Sequence, residues 1–381
     1  MKKPVAPMPA AQPSRTGPSR TGQPAGPVLV TGGAGFVGTN VVDRLAGQGV
    51  PVILYDSLVR PGVSENLEWL KRRHGSRIDA RIADVRDTAR LEQAVREAQT
   101  IYHFAAQVAV TTSLVDPTED FAVNCAATVA LLEAMRRTPK PPTLVFTSTN
   151  KVYGSLPDVP VQNAGRRCEP VDADLGGKGV GETCRMDFHS PYGCSKGAAD
   201  QYVLDYARCF DLPTVVLRMS CIYGPHQRGN EDQGWVAHFV MRALAGEPIT
   251  IYGDGRQVRD VLFVDDLVDL MLVAGAPGSP LVGKAVNVGG GPRNAVSLLE
   301  VVDALQDLAE SPVRVRFGAA RPGDQRWYVS DVSRVAAVTG WQPRVGVREG
   351  LARLCAWLRE TRADPARPPL AKAIAVGGAA E

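Results

Sequence analysis

The chain has no Cys-x-x-Cys pair, and its seven cysteines (Cys125, Cys168, Cys184, Cys194, Cys209, Cys221 and Cys355) are scattered and odd in number. That pattern speaks against a clustered zinc site and offers no disulfide framework, so no metal is expected and a reducing cytosol fits best. Long runs of like charge are also missing, and 43 basic against 40 acidic residues leave a formal charge of +3 over 381 residues. Nucleic acid is therefore not an expected partner. No apolar run is long enough to span a membrane, and residues 1–26 hold no apolar segment of signal-peptide length. Those 26 residues, with Pro-Ser-Arg-Thr-Gly written twice at 13–17 and 18–22, read as a disordered tail, as do residues 363–381. A cytoplasmic location follows as the expectation.

What the chain does have is glycine at a defined spacing. Pro27 to Val30 reads as a short buried strand, Thr31-Gly32-Gly33-Ala34-Gly35-Phe36-Val37-Gly38 as a turn, and Val41 to Leu45 as the start of a helix. Strand, glycine turn and helix N-terminus in that order make a pyrophosphate cradle, because the backbone can approach closely and free N–H groups face the anion. Further strand patterns at 51–55, 77–82, 100–104, 143–147 and 214–218 alternate with helical ones, the clearest at 119–137 and 191–210. Alternation of this kind predicts an α/β fold, a Rossmann-like doubly wound parallel sheet covered on both faces. We expect a dinucleotide-binding domain over 27–218, to which part of 261–276 returns, and a smaller substrate-binding lobe over 219–362. In that lobe helices at 235–245, 267–276, 297–309 and 347–362 mix with short strands at 285–288 and 313–317. Residues 155–189 are rich in Gly and Pro with little periodicity, and read as a long loop covering the active site.

Asp56 ends the second strand pattern, 18 residues past Gly38, where a dinucleotide fold places the acid that binds the adenosine ribose hydroxyls. A carboxylate there repels a 2′-phosphate, so NAD is expected over NADP, with Arg60 the one contrary residue. Tyr192 is the only one of nine tyrosines with a lysine four residues on, Lys196. On a helix both side chains share a face, and a nearby ammonium should depress the phenol and make Tyr192 a usable base. His103 reads as a core histidine with satisfied hydrogen bonds.

The glycine spacing and the Tyr192–Lys196 pair resemble the extended branch of the short-chain dehydrogenase/reductase superfamily. Aligned on Val152-Tyr153-Gly154, Thr149 falls at that family's catalytic Ser/Thr, so the resemblance implies a catalytic set of Thr149, Tyr192 and Lys196. It implies cofactor contacts from Gly32, Gly35, Phe36, Val37, Gly38, Asp56, Asp84, Val85, Ala105, Ala106, Gln107, Asn124 and Lys196, with Asp84 at the adenine edge. Substrate contacts would come from Thr149, Gln107, Gln233, Trp235, Arg259, Arg321 and Asp324, the two arginines clamping a diphosphate.

The 4,6-dehydratases of this branch carry an Asp-Glu pair after the catalytic Thr. Here Asn150 and Lys151 stand in its place, and neither can take a proton as a carboxylate does. Hydride and proton shuttling without loss of water is therefore expected. The runs 107–113, 148–151 and 187–208, with 66–70, 232–236 and 256–260, look like the nucleotide-sugar 2-epimerases of the CDP-paratose/CDP-tyvelose type. That resemblance implies an isomerase that transiently oxidises C2 of a CDP-hexose with tightly held NAD, assembled as a homo-oligomer. Met219, Cys221 and 155–186 depart from it. UDP-sugar 4-epimerisation, a non-catalytic dinucleotide-binding protein and a net dehydrogenase remain the alternatives.

Overall fold

The computed structural model describes residues 26–309, 312–321 and 324–363. Except for Gly26 and the backbone of Ala363, the tails assigned to 1–26 and 363–381 lie outside the described residues.

Runs of apolar residues buried on both faces are the signature of central parallel strands. Val28–Thr31 (β1) is wholly buried, and so is Thr100–His103 (β4). With Val52–Asp56 (β2), Ile78–Ile82 (β3), Thr143–Thr149 (β5) and the strands Thr214–Met219 and Ala285–Val288 they form one seven-stranded parallel sheet. Its order is Ala285–Val288, Thr214–Met219, β5, β4, β1, β2, β3. The chain builds outward from β1 in one direction, then restarts at β4 in the other. The crevice at the carboxyl ends of β1 and β4 is thus a topological switch point.

One face of the sheet is covered by Val41, Val42 and Leu45 of helix α1 (Phe36–Gly47) and by Leu267, Val268 and Met271 of the helix Val264–Ala274. The other is covered by Leu91, Val95, Leu131, Leu132, Ala199 and Val203 from three more helices. The expected α/β doubly wound fold is the one observed.

Three local expectations need correction. The strand Ala285–Val288 does not belong to the small lobe. Its four residues are all buried, and it extends the main sheet beside Thr214–Met219. Residues 155–189 are not a structureless cover. They contain the hairpin Val161–Ala164/Arg167–Pro170 and the helix Ala173–Lys178, and Leu156 and Val180 pack with Trp327, Tyr328 and Val329. Finally, the helix read over 119–137 is interrupted by a π-helical turn at Ala122–Ala126.

The smaller lobe is organised around the strand Val258–Phe263. It pairs with Cys221–Tyr223, Trp327–Tyr328 and Ala295–Ser297, and the helices Trp235–Leu244, Leu298–Gln306 and Val347–Ala363 pack beside it.

Candidate active site

A cleft of about 810 Å³ opens at the carboxyl ends of β1 to β5. Gly32, Gly35, Phe36, Val37 and Gly38 form its floor, where β1 turns into α1. Gly32 has φ +66°, and a Cβ on it would meet the Ala105 backbone nitrogen at 2.7 Å. A Cβ on Gly38 would fall inside the van der Waals sphere of the Gly32 carbonyl oxygen. Side chains are therefore excluded at both positions, and the first turn of α1 is left bare toward the cleft.

Asp56, at the end of β2, accepts hydrogen bonds from the Ala34 N–H (3.0 Å) and the Leu58 N–H (2.8 Å). Its carboxylate is thereby fixed beside the glycine turn. Asp84 and Val85 follow β3 and also line the cleft. Asp84 is held by the Arg86 guanidinium at 2.7 Å, and its carboxyl lies below the usual range chiefly through that bond. Ala105, Ala106 and Gln107 continue β4 along the opposite wall. Asn124 is not on the cleft surface. Its Oδ1 accepts from the Gln107 N–H (2.9 Å) and its Nδ2 donates to the Gln107 carbonyl (3.0 Å), so it acts as a brace behind the wall. His103 lies deeper still, with one ring nitrogen 2.7 Å from Thr31 Oγ1 and the other 3.2 Å from Thr128 Oγ1. Burial pulls its pKa down to about 3, so it stays neutral.

Thr149, Tyr192 and Lys196 all line the same cleft. Thr149 ends β5, accepts from the Lys151 N–H at 3.2 Å and donates to Asn150 Oδ1 at 3.4 Å. Tyr192 opens the 21-residue helix Ser190–Phe210, whose start is pinned by the Tyr192 N–H donating to Ser113 Oγ at 3.2 Å. Ser190 has φ +64°, a strained conformation for a residue with a Cβ. Lys196 is one turn on, 4 % exposed, its Nζ 4.2 Å from the Phe146 ring centroid. Here the electrostatic expectation is reversed. Burial pushes the Tyr192 phenol up to about 12, and Asp120 adds to the rise, while the nearby Thr149 hydroxyl opposes it. Burial also draws Lys196 down to about 8, opposed by Asp200 and Asp120. Position on one helix face brought the two groups together, but desolvation outweighs the charge effect that spacing alone suggested.

On the substrate side, Gln233 and Trp235 reach the cleft, together with Gln227, Asp232, Met219 and Cys221. Arg259, Arg321 and Asp324 are not on its wall. Arg259 is 6 % exposed and donates to Asp324 Oδ1 (2.7 Å) and the carbonyls of Val258 (2.7 Å) and Gln325 (2.5 Å). Arg321 stacks over Tyr252 at 4.2 Å and pairs with Asp232 at 3.1 Å. The two guanidiniums are thus held by protein groups rather than turned together into the cleft. No residue of 155–189 lines it either, and Glu182 is occupied in accepting from the Asn287 N–H at 2.8 Å.

Ser148 was missed in the sequence. It lines the cleft beside Thr149, and its buried hydroxyl has no hydrogen-bond partner among the described residues. Asp120 was missed as well, because nothing in its neighbourhood in sequence sets it apart.

A bare glycine cradle, a carboxylate fixed at the end of β2 and an unpartnered hydroxyl lining a switch-point crevice fit a dinucleotide such as NAD. Fold and site together define a Rossmann-type, dinucleotide-dependent enzyme. The sequence model of the NAD dependent epimerase/dehydratase family matches residues 28–289, and the chain belongs to that family, with NAD as its cofactor. It is 39% identical over 336 residues to the CDP-paratose 2-epimerase of Salmonella typhi, covering 87% of this chain and 98% of that one. It is 34% identical over 332 residues to the UDP-glucose 4-epimerase of Mycolicibacterium smegmatis, again covering 87% and 98%. The UDP-glucose 4-epimerase of Thermus thermophilus, solved in complex with NAD, superposes with a TM-score of 0.73 at 33% identity, covering 87% of this chain and 99% of that one. Among the described residues no helix is long and apolar enough to cross a membrane.

Proposed function

We propose that the chain epimerises a nucleoside-diphosphate sugar by transient oxidation at C2 of a CDP-linked hexose. The observation that carries this reading is Thr149, Tyr192 and Lys196 on one cleft wall with Asn150 and Lys151, not carboxylates, following Thr149. Likeness to the Salmonella CDP-paratose 2-epimerase favours C2 and cytidine. Likeness to the two UDP-glucose 4-epimerases supports the second reading, inversion at C4 of a UDP-sugar.

NAD, when bound on the glycine cradle, supplies the hydride acceptor and gives the hydride back. The protein's own groups handle the proton and the pose. Thr149 Oγ1 hydrogen-bonds the reacting hydroxyl, and Tyr192 Oη takes its proton once ionised. Burial holds the phenol up at about 12, and the Lys196 ammonium, together with the positive nicotinamide ring when NAD is bound, would favour the phenolate. Gln107, Gln233 and Trp235 hold the sugar nucleotide. Arg259, Arg321 and Asp324 support that subsite from behind, and become direct contacts only if the guanidiniums leave their present carboxylates.

We assign a homo-oligomer on separate grounds. Leu114, Val115, Phe121, Tyr202 and Phe210 are exposed apolar side chains on helices that pack together, and a second copy of the chain would cover them. Sedimentation should return at least a dimer mass.

The test of the reaction is product analysis with substrate deuterated at C2. Inversion at C2 with the label retained is expected. Inversion at C4 transfers the assignment to the UDP-sugar reading, and a 4-keto-6-deoxy product overturns the epimerase reading.

A further inference from the structure

Three carboxylates sit in the interior near the catalytic helix, and two of them have evident structural roles. Asp200 makes two hydrogen bonds of 2.9 Å to the Arg218 guanidinium, a buried ion pair. Asp260 is held by the Ser220 hydroxyl and the Gly291 N–H, and secures the loop that carries Ser220. Asp120 is different. It is fully buried, yet among the described residues no arginine, lysine or histidine pairs with it. Its hydrogen-bond partners are neutral: Ser195 Oγ donates to Oδ2 at 2.5 Å and Asn124 Nδ2 donates to Oδ1 at 3.0 Å. An interior carboxylate without a cation is costly, and two neutral donors offset only part of that cost.

Both donors belong to the site. Ser195 lies between Tyr192 and Lys196 on the catalytic helix and also donates to the Tyr192 carbonyl at 3.2 Å. Asn124 sits in the π-helical turn, bonds Ser195 Oγ at 3.1 Å, and braces Gln107 on the cleft wall. The π-turn widens the helix by one residue at this point. Burial raises the Asp120 carboxyl above its ordinary value, and the Ser195 hydrogen bond and the charge of Lys196 offset part of that rise.

We propose that Asp120 is a positioning residue: its buried carboxylate ties the Tyr192–Lys196 turn to the Gln107 wall through Ser195 and Asn124, and keeps the Lys196 ammonium charged inside a desolvated site. This rests on the reading of Tyr192 and Lys196 as the catalytic pair. Of the other groups around Lys196, Asp200 also opposes the fall in its pKa, and more strongly than Asp120, but its carboxylate is already paired with Arg218. His103 on β4 is neutral, Cys125 on the π-turn is held as the thiol by burial, and Phe146 and Thr149 on β5 carry no charge. Tyr192 on its own helix is a phenol at neutral pH, and Glu119 beside Asp120 is paired with Arg86. Among the described residues Asp120 is the carboxylate near Lys196 that no cation pairs with.

The sign follows. Burial lowers Lys196 to about 8, and Asp120 opposes that fall. Removing the negative charge should lower the Lys196 midpoint by about one pH unit, the low end for a charge at close range. Lysine ¹³C resonances, with that of Lys196 assigned by its loss in Lys196→Arg, report the titration without any turnover. The native protein should titrate near pH 8. Asp120→Asn should titrate lower, and its kcat should fall roughly fivefold at pH 8 and recover toward neutrality, with KM little changed. Asp120→Glu keeps the charge and should restore the midpoint. An unshifted midpoint in folded Asp120→Asn overturns the proposal. If neither variant folds, the native titration still decides: a midpoint below pH 7 means Asp120 does not keep the ammonium charged. Should Lys196→Met retain full activity while the midpoint shifts as expected, the catalytic reading fails and the electrostatic one stands.

Discussion

The two halves of the cleft are built from different material. On the cofactor side the wall is backbone: the Gly32–Gly38 turn, the first turn of α1 and the Ala105–Gln107 segment, with Asp56 clamped by two main-chain N–H groups. On the opposite side, where we propose the sugar nucleotide lies, the wall is side chains, Gln227, Asp232, Gln233, Trp235 and Cys221 beyond the main sheet and Met219 at the end of one of its strands. A backbone wall tolerates few substitutions, because a side chain added at Gly32 or Gly38 would meet main-chain atoms. A side-chain wall is set residue by residue. Tyr192 and Lys196 stand at the seam, on a helix that belongs to the first half and faces the second.

The largest effect should come at that seam. Tyr192→Phe removes the proton acceptor without changing the shape of the wall, and kcat should fall about 10³- to 10⁴-fold while binding of the nucleotide sugar persists. Near-normal turnover would remove the catalytic role from this side of the cleft altogether. Thr149→Val removes the hydroxyl that shares the cleft wall with Tyr192, and a loss of roughly 10²-fold in kcat is expected from one positioned partner. Both are read by steady-state kinetics on the epimerised substrate, beside calorimetric titration of the ligand.

The backbone half is also the half that was legible in the chain. The glycine turn is local, since the close approach of Gly38 to Gly32 is written into six residues of spacing. Asp56 was legible for the same reason, as a residue counted from the end of a strand. Tyr192 and Lys196 share a helix face by arithmetic, but the sign of their pKa shifts was not legible. Desolvation depends on what packs over them, including β5 and the π-turn, and none of that is local. Asp120 meets Ser195 across 75 residues, and the strand Ala285–Val288 finds its sheet partner at 214–219, so neither left a mark in the nearby sequence. Residues 155–189 misled for another reason. Four-residue strands and a six-residue helix are too short for periodicity to show.

Asp56→Ala tests the backbone half at a smaller scale. The carboxylate disfavours a 2′-phosphate, so the unmodified protein should hold NAD well above NADP, and the variant should narrow that preference by about tenfold. The measurement is the dinucleotide released on denaturation and the affinity of the emptied protein for each cofactor. Equal affinity of the unmodified protein for both would take the ribose role from Asp56.

The smallest effect is expected from the side-chain half. Gln233 projects from the smaller lobe, and its Oε1 accepts from the Arg60 guanidinium that follows β2, so the pair joins the two halves at the cleft mouth. The bond is exposed, and such a hydrogen bond contributes about 0.5–1.5 kcal/mol. Gln233→Ala removes that link and, with Gln233 holding the sugar nucleotide as proposed, one lost hydrogen bond to the ligand should raise KM roughly 2- to 10-fold while kcat holds. A matching fall in kcat would mean that Gln233 acts on the reacting carbon itself. The division between a backbone half that serves the chemistry and a side-chain half that chooses the substrate would then not hold for this cleft.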